Sequence, residues 1–144
     1  MYITPIEFAT PEYDEAVQLR SLVLREPLGL SYDIETLSRE YADLHIVAYN
    51  ERNEIVGVLL LSPLDTAIMK MRQVAVHPTC QGKGIGSALV AYSERYAKLQ
   101  GYTRLYLHAR EIAVSFYTRL GYQPIGAPFS EIGIPHIALE KAVQ

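Results

Sequence analysis

Residues 81–87, QGKGIGS, place three glycines at alternate positions directly before an apolar pattern with helical spacing. The first turn of a helix has unpaired backbone N–H groups and the positive end of the helix dipole, so it attracts anions. Glycines there carry no β-carbon that would keep a bulky phosphate away from those amides. The loop also supplies one cation and two hydrogen-bonding side chains; its candidate residues are Gln81, Gly82, Lys83, Gly84, Gly86 and Ser87. The segment therefore predicts a cradle for a diphosphate.

Two other phosphate-binding loops fit this spacing poorly. The P-loop requires G-x-x-x-x-G-K-[ST], which the chain does not contain. The dinucleotide fingerprint requires G-x-G-x-x-G directly after a strand. Here the third glycine comes one residue early, and residues 77–80 separate the preceding apolar run from Gln81. A glycine-rich turn that binds no ligand is the remaining structural alternative.

Two motifs in sequence order carry a family resemblance. Gln81, Gly84 and Gly86 match the pattern Q/R-x-x-G-x-G/A, which here follows the strand-like run VAVHP. Residues 113–122, AVSFYTRLGY, match A-x-x-F/L-Y-x-x-x-G-F/Y at the expected distance after the loop. Together these motifs resemble the GNAT superfamily of acyl-CoA-dependent N-acyltransferases. The expected order of elements resembles that fold over nearly the whole chain, with the weakest match in the first forty residues.

This resemblance implies that acetyl-CoA is the co-substrate and that strands splay apart where it binds. The positions it assigns to the cofactor are Val74, Val76, Gln81, Gly82, Lys83, Gly84, Ile85, Gly86 and Ser87. Val74 and Val76 would contact the pantetheine arm through their backbone. The Val74 N–H would donate to the thioester oxygen as an oxyanion hole. One position departs from the family, since Arg110 stands where many members have an asparagine that holds this arm.

Tyr117 is the residue expected to protonate the leaving thiolate. With unperturbed pKa values of about 10 for tyrosine and about 8.5 for a thiol, this transfer is uphill by about 2 kcal/mol. The alternative is structural, because Phe116 and Tyr117 also lie on an apolar helical stripe. The second motif favours the catalytic interpretation, so Tyr117 and Val74 are the predicted catalytic residues.

The sequence does not assign the general base that an amine acceptor requires. A lysine-like amine is almost wholly protonated at pH 7, so the site must lower its pKa or supply a base. The strand that leads into the loop offers no carboxylate. Glu131 and His136, expected in the connection over residues 126–136, are the candidates for contact with the substrate, because this fold builds acceptor specificity there. The other histidines and Cys80 show no ligand spacing, and no metal site is predicted.

Apolar periodicity and turn residues predict the elements that must position these groups. Strands are expected at 2–6, 44–49, 55–61, 68–76 and 104–109 with two more after Tyr122, and helices from Pro11, at 34–41, at 84–99 and at 113–120. This order predicts an α/β fold with a mixed, mostly antiparallel central sheet flanked by helices, in one domain over residues 1–144. The alternation in the 68–76 strand changes phase near Gln73, so either both faces are covered or a bulge lies there.

Bulk properties narrow the function further. With 49% hydrophobic and 20% charged residues the chain is expected to be globular. A net charge of −3 gives no basic field for nucleic acid. No apolar stretch approaches a membrane span, and no secretory signal is recognised at the start, so a cytoplasmic location is expected. Exposed strand edges of this fold often pair between subunits, which is compatible with a homodimer.

These observations predict an N-acetyltransferase that moves an acetyl group from acetyl-CoA to a primary amine by direct attack in a ternary complex. The acceptor, a small molecule or a peptide, is not identified by the sequence. The alternative function is a regulatory module that binds acyl-CoA without chemistry.

Overall fold

The strands and helices follow one another in the expected order. The computed structural model describes residues 1–143. Its elements are β1 (Tyr2–Ile6), α1 (Pro11–Arg20), α2 (Ile34–Ser38), β2 (Leu44–Tyr49), β3 (Ile55–Pro63), β4 (Ile68–Val76), α3 (Ile85–Leu99), β5 (Arg104–Arg110), α4 (Val114–Arg119), β6 (Gln123–Glu131) and β7 (Ile134–Ala142). The seven strands form a mostly antiparallel sheet in the order β1-β2-β3-β4-β5-β7-β6, which confirms the predicted fold class. No described helix is both long enough and apolar enough to cross a membrane.

The chain divides into two compact units. The first contains residues 1–62 and 73–93, and the second contains residues 63–72 and the segment that begins at Glu94. Strand β4 and helix α3 therefore contribute residues to both units. The assignment of residues 1–144 to one domain stays a prediction.

The first unit has its core between α1 and the antiparallel strands β1, β2 and β3. Helix α1 begins at Pro11 because the Thr10 hydroxyl accepts a hydrogen bond from the Tyr13 N–H at 3.3 Å, and proline suits the first helical position. The buried core residues come from α1 and from strands β2, β3 and β4: Ala16, Leu19, Val47, Val58, Leu60 and Ala75. Of the apolar stripe that the periodicity predicts, Ala16 and Leu19 are buried and Val23 packs against the core, but Leu22 is exposed.

A buried ion pair fixes the end of α1. Arg20 donates from Nη1 and Nη2 to the two carboxylate oxygens of Glu40 at 2.8 and 2.7 Å, and Tyr13 donates its hydroxyl to the same carboxylate at 2.8 Å. Arg20 and Glu40 are 1% and 3% exposed. Since Glu40 lies in the short 3-10 turn after α2, this network connects the two helical segments.

The second unit pairs β4 with β5 in parallel, β5 with β7 antiparallel, and β6 with β7 as a hairpin. The prediction of a long connection over residues 126–136 is wrong. Strands β6 and β7 extend through most of it, because Ile132 and Gly133 adopt φ values of 48° and 78° and turn the chain within two residues. Positive φ at both central positions is the geometry of a tight hairpin turn. Glu131 and His136 are therefore strand residues.

The phase change in β4 has a backbone origin. Gln73 has a φ of 56°, in the left-handed region that a regular strand does not enter. On its carboxyl side Ala75 is buried in the core of the first unit, whereas Val74 and Val76 are only half-buried. This local distortion at Gln73 favours a bulge, the second alternative left open by the sequence, although β4 is continuous over Ile68–Val76.

Candidate active site

The glycine loop forms an exposed turn that ends at the first residue of α3. Gly82 and Gly84 have φ values of 78° and 83°, and a β-carbon added at either would meet no atom within 4 Å. The Ala88 N–H bonds the Gly84 carbonyl at 3.0 Å, so the amides of residues 85–87 lie in the first turn, where N–H groups have no helical partner. Helix α3 is 15 residues long. Open space beside the unpaired amides at its start fits the diphosphate of acetyl-CoA.

A close approach of β3 holds the start of α3 in place. A β-carbon added to Gly57 would lie 2.8 Å from Leu89 Cδ1 and 2.9 Å from Ile85 Cγ2. Ile85 is 8% exposed, so its side chain packs inward and only its backbone is available to a cofactor. Sequence reasoning missed Gly57, since an isolated glycine inside a strand pattern gives no indication of what packs against it.

Replacing Gly57 with alanine is expected to lower the free energy of unfolding by about 1–3 kcal/mol, as overpacking of a core does. It should also weaken acetyl-CoA binding, because the first turn of α3 must shift. Thermal unfolding and calorimetric titration measure the two effects. In the double variant Gly57→Ala/Leu89→Val the shortened side chain should restore part of both losses, and purely additive effects would contradict this packing.

Two polar side chains beside the loop have local structural roles. Gln81 donates its side-chain amide to the Val76 carbonyl at 3.1 Å and so ties the loop to the end of β4. His77 accepts at Nδ1 from the Thr79 N–H at 3.2 Å, which makes it the cap of the short turn 78–80. The side-chain amide nitrogen of Gln81, which was expected to bind phosphate, is therefore already engaged by the Val76 carbonyl.

Replacing Gly84 with alanine is expected to weaken acetyl-CoA binding about tenfold or more, equivalent to about 1.4 kcal/mol. The new β-carbon would occupy the open space, and a non-glycine residue at positive φ adds strain. Gly101→Ala is the matched control, because Gly101 also has positive φ, 88°, with no atom near its added β-carbon. A similar affinity loss in both variants would show that strain alone is responsible.

Tyr117 is buried in the second unit. It is 6% exposed, and its ring lies edge-on to Phe116 and Tyr122 at centroid distances of 4.9 and 5.8 Å. Desolvation raises the pKa of Tyr117 well above its usual value, so the hydroxyl is protonated at neutral pH. Protonation suits a proton donor, but the transfer to a thiolate becomes more uphill than unperturbed values indicate.

The C-terminal end of α4, which carries Tyr117, is held by a polar network. Lys141 donates to the Leu120 carbonyl at 2.8 Å and to Glu94 at 3.0 Å. Tyr122 donates its hydroxyl to the same Glu94 carboxylate at 2.9 Å. These contacts explain how a helix of six residues is positioned.

The structure brings Glu131 and His136 together and adds two residues that sequence reasoning did not select. Glu131 Oε1 lies 3.0 Å from His108 Nδ1, and Glu131 Oε2 lies 3.5 Å from His136 Nε2. His108 Nε2 lies 2.9 Å from the Tyr106 hydroxyl. Tyr106 and His108 alternate on one face of β5, but nothing in the sequence indicated that β6 would place a carboxylate beside them.

Charges around Glu131 keep it ionised. Partial burial alone would raise the pKa of Glu131, but the hydrogen bond from His108 and the electrostatic interactions with His108, His136 and Lys70 lower it overall. Desolvation lowers the pKa of the half-buried Lys70. Among the described residues no group of three or more His, Cys, Asp or Glu is arranged to hold a metal ion. Arg110 ends β5 and pairs in register with His136.

An open glycine loop at a helix start, on this sheet topology, fits a protein that binds acyl-CoA. The family model described as acetyltransferase (GNAT) family matches residues 10–122, and the chain belongs to this family. Membership makes it an N-acetyltransferase that uses acetyl-CoA. It is 30% identical over 145 residues to the uncharacterized protein YyaT of Bacillus subtilis strain 168, covering 96% of this chain and 95% of YyaT.

Solved structures share the fold. An aminoglycoside 6'-N-acetyltransferase complexed with coenzyme A superposes with a TM-score of 0.84 at 19% identity, covering 100% of this chain and 98% of that one. A GNAT family acetyltransferase from Elizabethkingia anophelis with acetyl-CoA bound gives a TM-score of 0.75 at 23% identity, covering 98% and 97%. Together with the family match, these likenesses confirm the predicted family and fold.

Proposed function

We propose that the protein transfers the acetyl group of acetyl-CoA to a primary amine by direct attack of the amine in a ternary complex. The open loop at Gly82 and Gly84, beside the unpaired amides of the α3 start, carries this proposal. In it, the cofactor diphosphate binds residues 81–87, with Lys83 as an exposed cation beside the amides. The backbone of Val74 and Val76 contacts the pantetheine arm.

Each step has a residue assigned to it. The Val74 N–H donates to the thioester oxygen and stabilises the negative charge that develops there as nitrogen attacks carbon. Tyr117 gives its proton to the sulfur as the C–S bond breaks. The buried, protonated state of Tyr117 supports this role. Glu131 and His136 contact the acceptor from β6 and β7.

Isothermal titration of the purified protein with acetyl-CoA tests the proposal first, with ATP and NAD as controls. Selective binding of acetyl-CoA is expected. Binding of ATP or NAD in preference would favour a nucleotide enzyme, and no binding at all would reduce the loop to a structural turn.

Release of thiol from acetyl-CoA in the presence of amines separates the enzyme from a binding module. The screen includes polyamines, amino acids, lysine peptides and amino sugars, the last because one structural neighbour is an aminoglycoside acetyltransferase. Binding without amine-dependent thiol release would favour the regulatory module. A cytoplasmic location and a homodimer stay predictions, and light scattering after size-exclusion chromatography tests the second.

A further inference from the structure

A hydrogen-bonded chain of hydroxyl, imidazole and carboxylate crosses strands β5 and β6. Tyr106 Oη lies 2.9 Å from His108 Nε2, and His108 Nδ1 lies 3.0 Å from Glu131 Oε1. A carboxylate can only accept, so Nδ1 carries the proton and donates to Glu131. In the neutral ring Nε2 is then the acceptor, and the Tyr106 O–H donates to it. One tautomer satisfies both contacts.

Three further side chains surround this cluster. His136 Nδ1 lies 3.0 Å from the Ile134 carbonyl oxygen, and His136 Nε2 lies 3.5 Å from Glu131 Oε2. The Phe129 ring lies edge-on to His108 at a centroid distance of 4.8 Å and covers it on one side. Lys70, opposite Tyr106 in the parallel register, supplies the remaining charge that acts on Glu131. His108 and Glu131 are 22% and 43% exposed, so solvent and substrate can reach the cluster.

We propose that Tyr106, His108 and Glu131 form the proton relay that deprotonates the acceptor amine. The inference rests on the proposed function. Tyr106 takes the proton from the acceptor and His108 is the base. Glu131, which the proposed function places against the acceptor, also fixes the tautomer of His108 through Oε1 and stabilises the imidazolium. Strand β4, to which the proposed function assigns the acyl group, is the parallel neighbour of β5, which carries Tyr106 and His108.

The proton balance is complete without another reactant. The acceptor ammonium gives one proton to Tyr106 Oη as the Tyr106 proton moves to His108 Nε2. The neutral nitrogen attacks the thioester carbon, the C–N bond forms and the C–S bond breaks. As the amide forms, the nitrogen loses its second proton. The thiolate takes the proton of the Tyr117 hydroxyl, and the second nitrogen proton then reprotonates Tyr117. His108 then releases its proton to water.

Two nucleophiles distinguish a base from a structural cluster. n-Butylamine is a primary alkyl amine that is protonated at pH 7, whereas hydroxylamine is a much weaker base and is largely neutral there. The variants are Tyr106→Phe, His108→Asn, which keeps a donor near the Nδ1 position, and Glu131→Gln. Tyr41→Phe in the segment after α2 is the matched control, since Tyr41 is 73% exposed.

For n-butylamine at pH 7, Tyr106→Phe and His108→Asn should lower kcat/KM about 100-fold, the usual contribution of a positioned base, with a smaller loss for Glu131→Gln. All three should leave transfer to hydroxylamine within about threefold, because a neutral nucleophile needs no base. With the wild type, kcat/KM for n-butylamine should reach a plateau as the pH rises, because the relay removes the proton from the amine. With the variants it should keep rising towards the pKa of the amine.

Equal losses with both nucleophiles, or no loss with n-butylamine, would overturn the relay. So would a wild-type protein that acetylates neither amine. Acetyl transfer to hydroxylamine by the wild type keeps this result separate from the proposed function, since a failed relay leaves that transfer intact and a failed function does not. Unchanged thermal unfolding relative to Tyr41→Phe confirms that the variants fold.

Discussion

Replacing Tyr117 with phenylalanine is expected to lower kcat about 100-fold or more, with acetyl-CoA affinity unchanged. The variant removes one oxygen from a ring that is 6% exposed and otherwise keeps its contacts with Phe116 and Tyr122. A thiolate that must leave without a positioned acid loses what general acid catalysis contributes, typically about 10²–10⁴-fold. Thiol release under saturating substrates measures kcat, and calorimetric titration measures affinity.

The burial of Tyr117 makes this a demanding test. Desolvation raises the pKa of Tyr117, so the proton is present at neutral pH but is held more tightly than in an exposed tyrosine. Transfer is then efficient only as negative charge develops on sulfur during C–S cleavage. Tyr41→Phe provides the control because Tyr41 is exposed. A Tyr117→Phe enzyme with wild-type kcat would make this residue a core aromatic.

Replacing Glu40 with alanine is expected to lower the free energy of unfolding by about 3–5 kcal/mol, the usual cost of breaking a buried ion pair. Arg20 is 1% exposed, and its Nε already has no hydrogen-bond partner. The variant removes the carboxylate that pairs with this buried guanidinium. Tyr13 loses its acceptor as well. Urea unfolding followed by circular dichroism measures the change.

Two further variants separate the buried pair from general effects. Glu35→Ala removes an exposed ion pair with Arg39 and should cost less than about 0.5 kcal/mol. Replacing both partners, Arg20→Met with Glu40→Leu, should recover much of the stability, because no unpaired charge stays buried. A single variant Glu40→Ala as stable as Glu35→Ala would contradict the network.

The same carboxylate gives stability a pH dependence. Burial alone would raise the pKa of Glu40, but its bonds to Arg20 and Tyr13 lower it overall from the ordinary 4.5. A lowered pKa in the folded state means that the contribution is complete above about pH 4.5 and is lost as the pH falls through the folded value. Unfolding free energies measured between pH 7 and pH 3 should fall more steeply for wild type than for Glu40→Ala.

Much of the fold could be predicted because its signals are local. Thr10 and Pro11 mark the start of α1, and the runs 44–49 and 68–76 coincide with β2 and β4 at both ends. These features depend on caps and on apolar periodicity, which act within one element. The glycine loop was predictable for the same reason, since its glycines lie at the start of α3, within the same short segment of sequence.

The features that could not be predicted depend on contacts between distant segments. The sequence places His108 and Glu131 23 residues apart, and only the hairpin of β6 and β7 beside β5 brings them into contact. That hairpin was itself mispredicted, because Ile132 has a positive φ that a β-branched residue rarely adopts. The close approach at Gly57 likewise depends on α3 packing against β3.

Position 73 must adopt a left-handed backbone conformation and must also carry a hydrogen-bond acceptor. A glycine would take its φ of 56° without strain. A glycine, however, has no side chain that could accept the hydrogen bond from the Tyr32 hydroxyl, as the Gln73 amide oxygen does. Tyr32 is held in turn between the guanidinium groups of Arg20 and Arg25, 4.7 and 4.5 Å from its ring centroid. Substitution at this site is therefore restricted to residues that tolerate left-handed backbone and also carry an acceptor, and asparagine combines both properties.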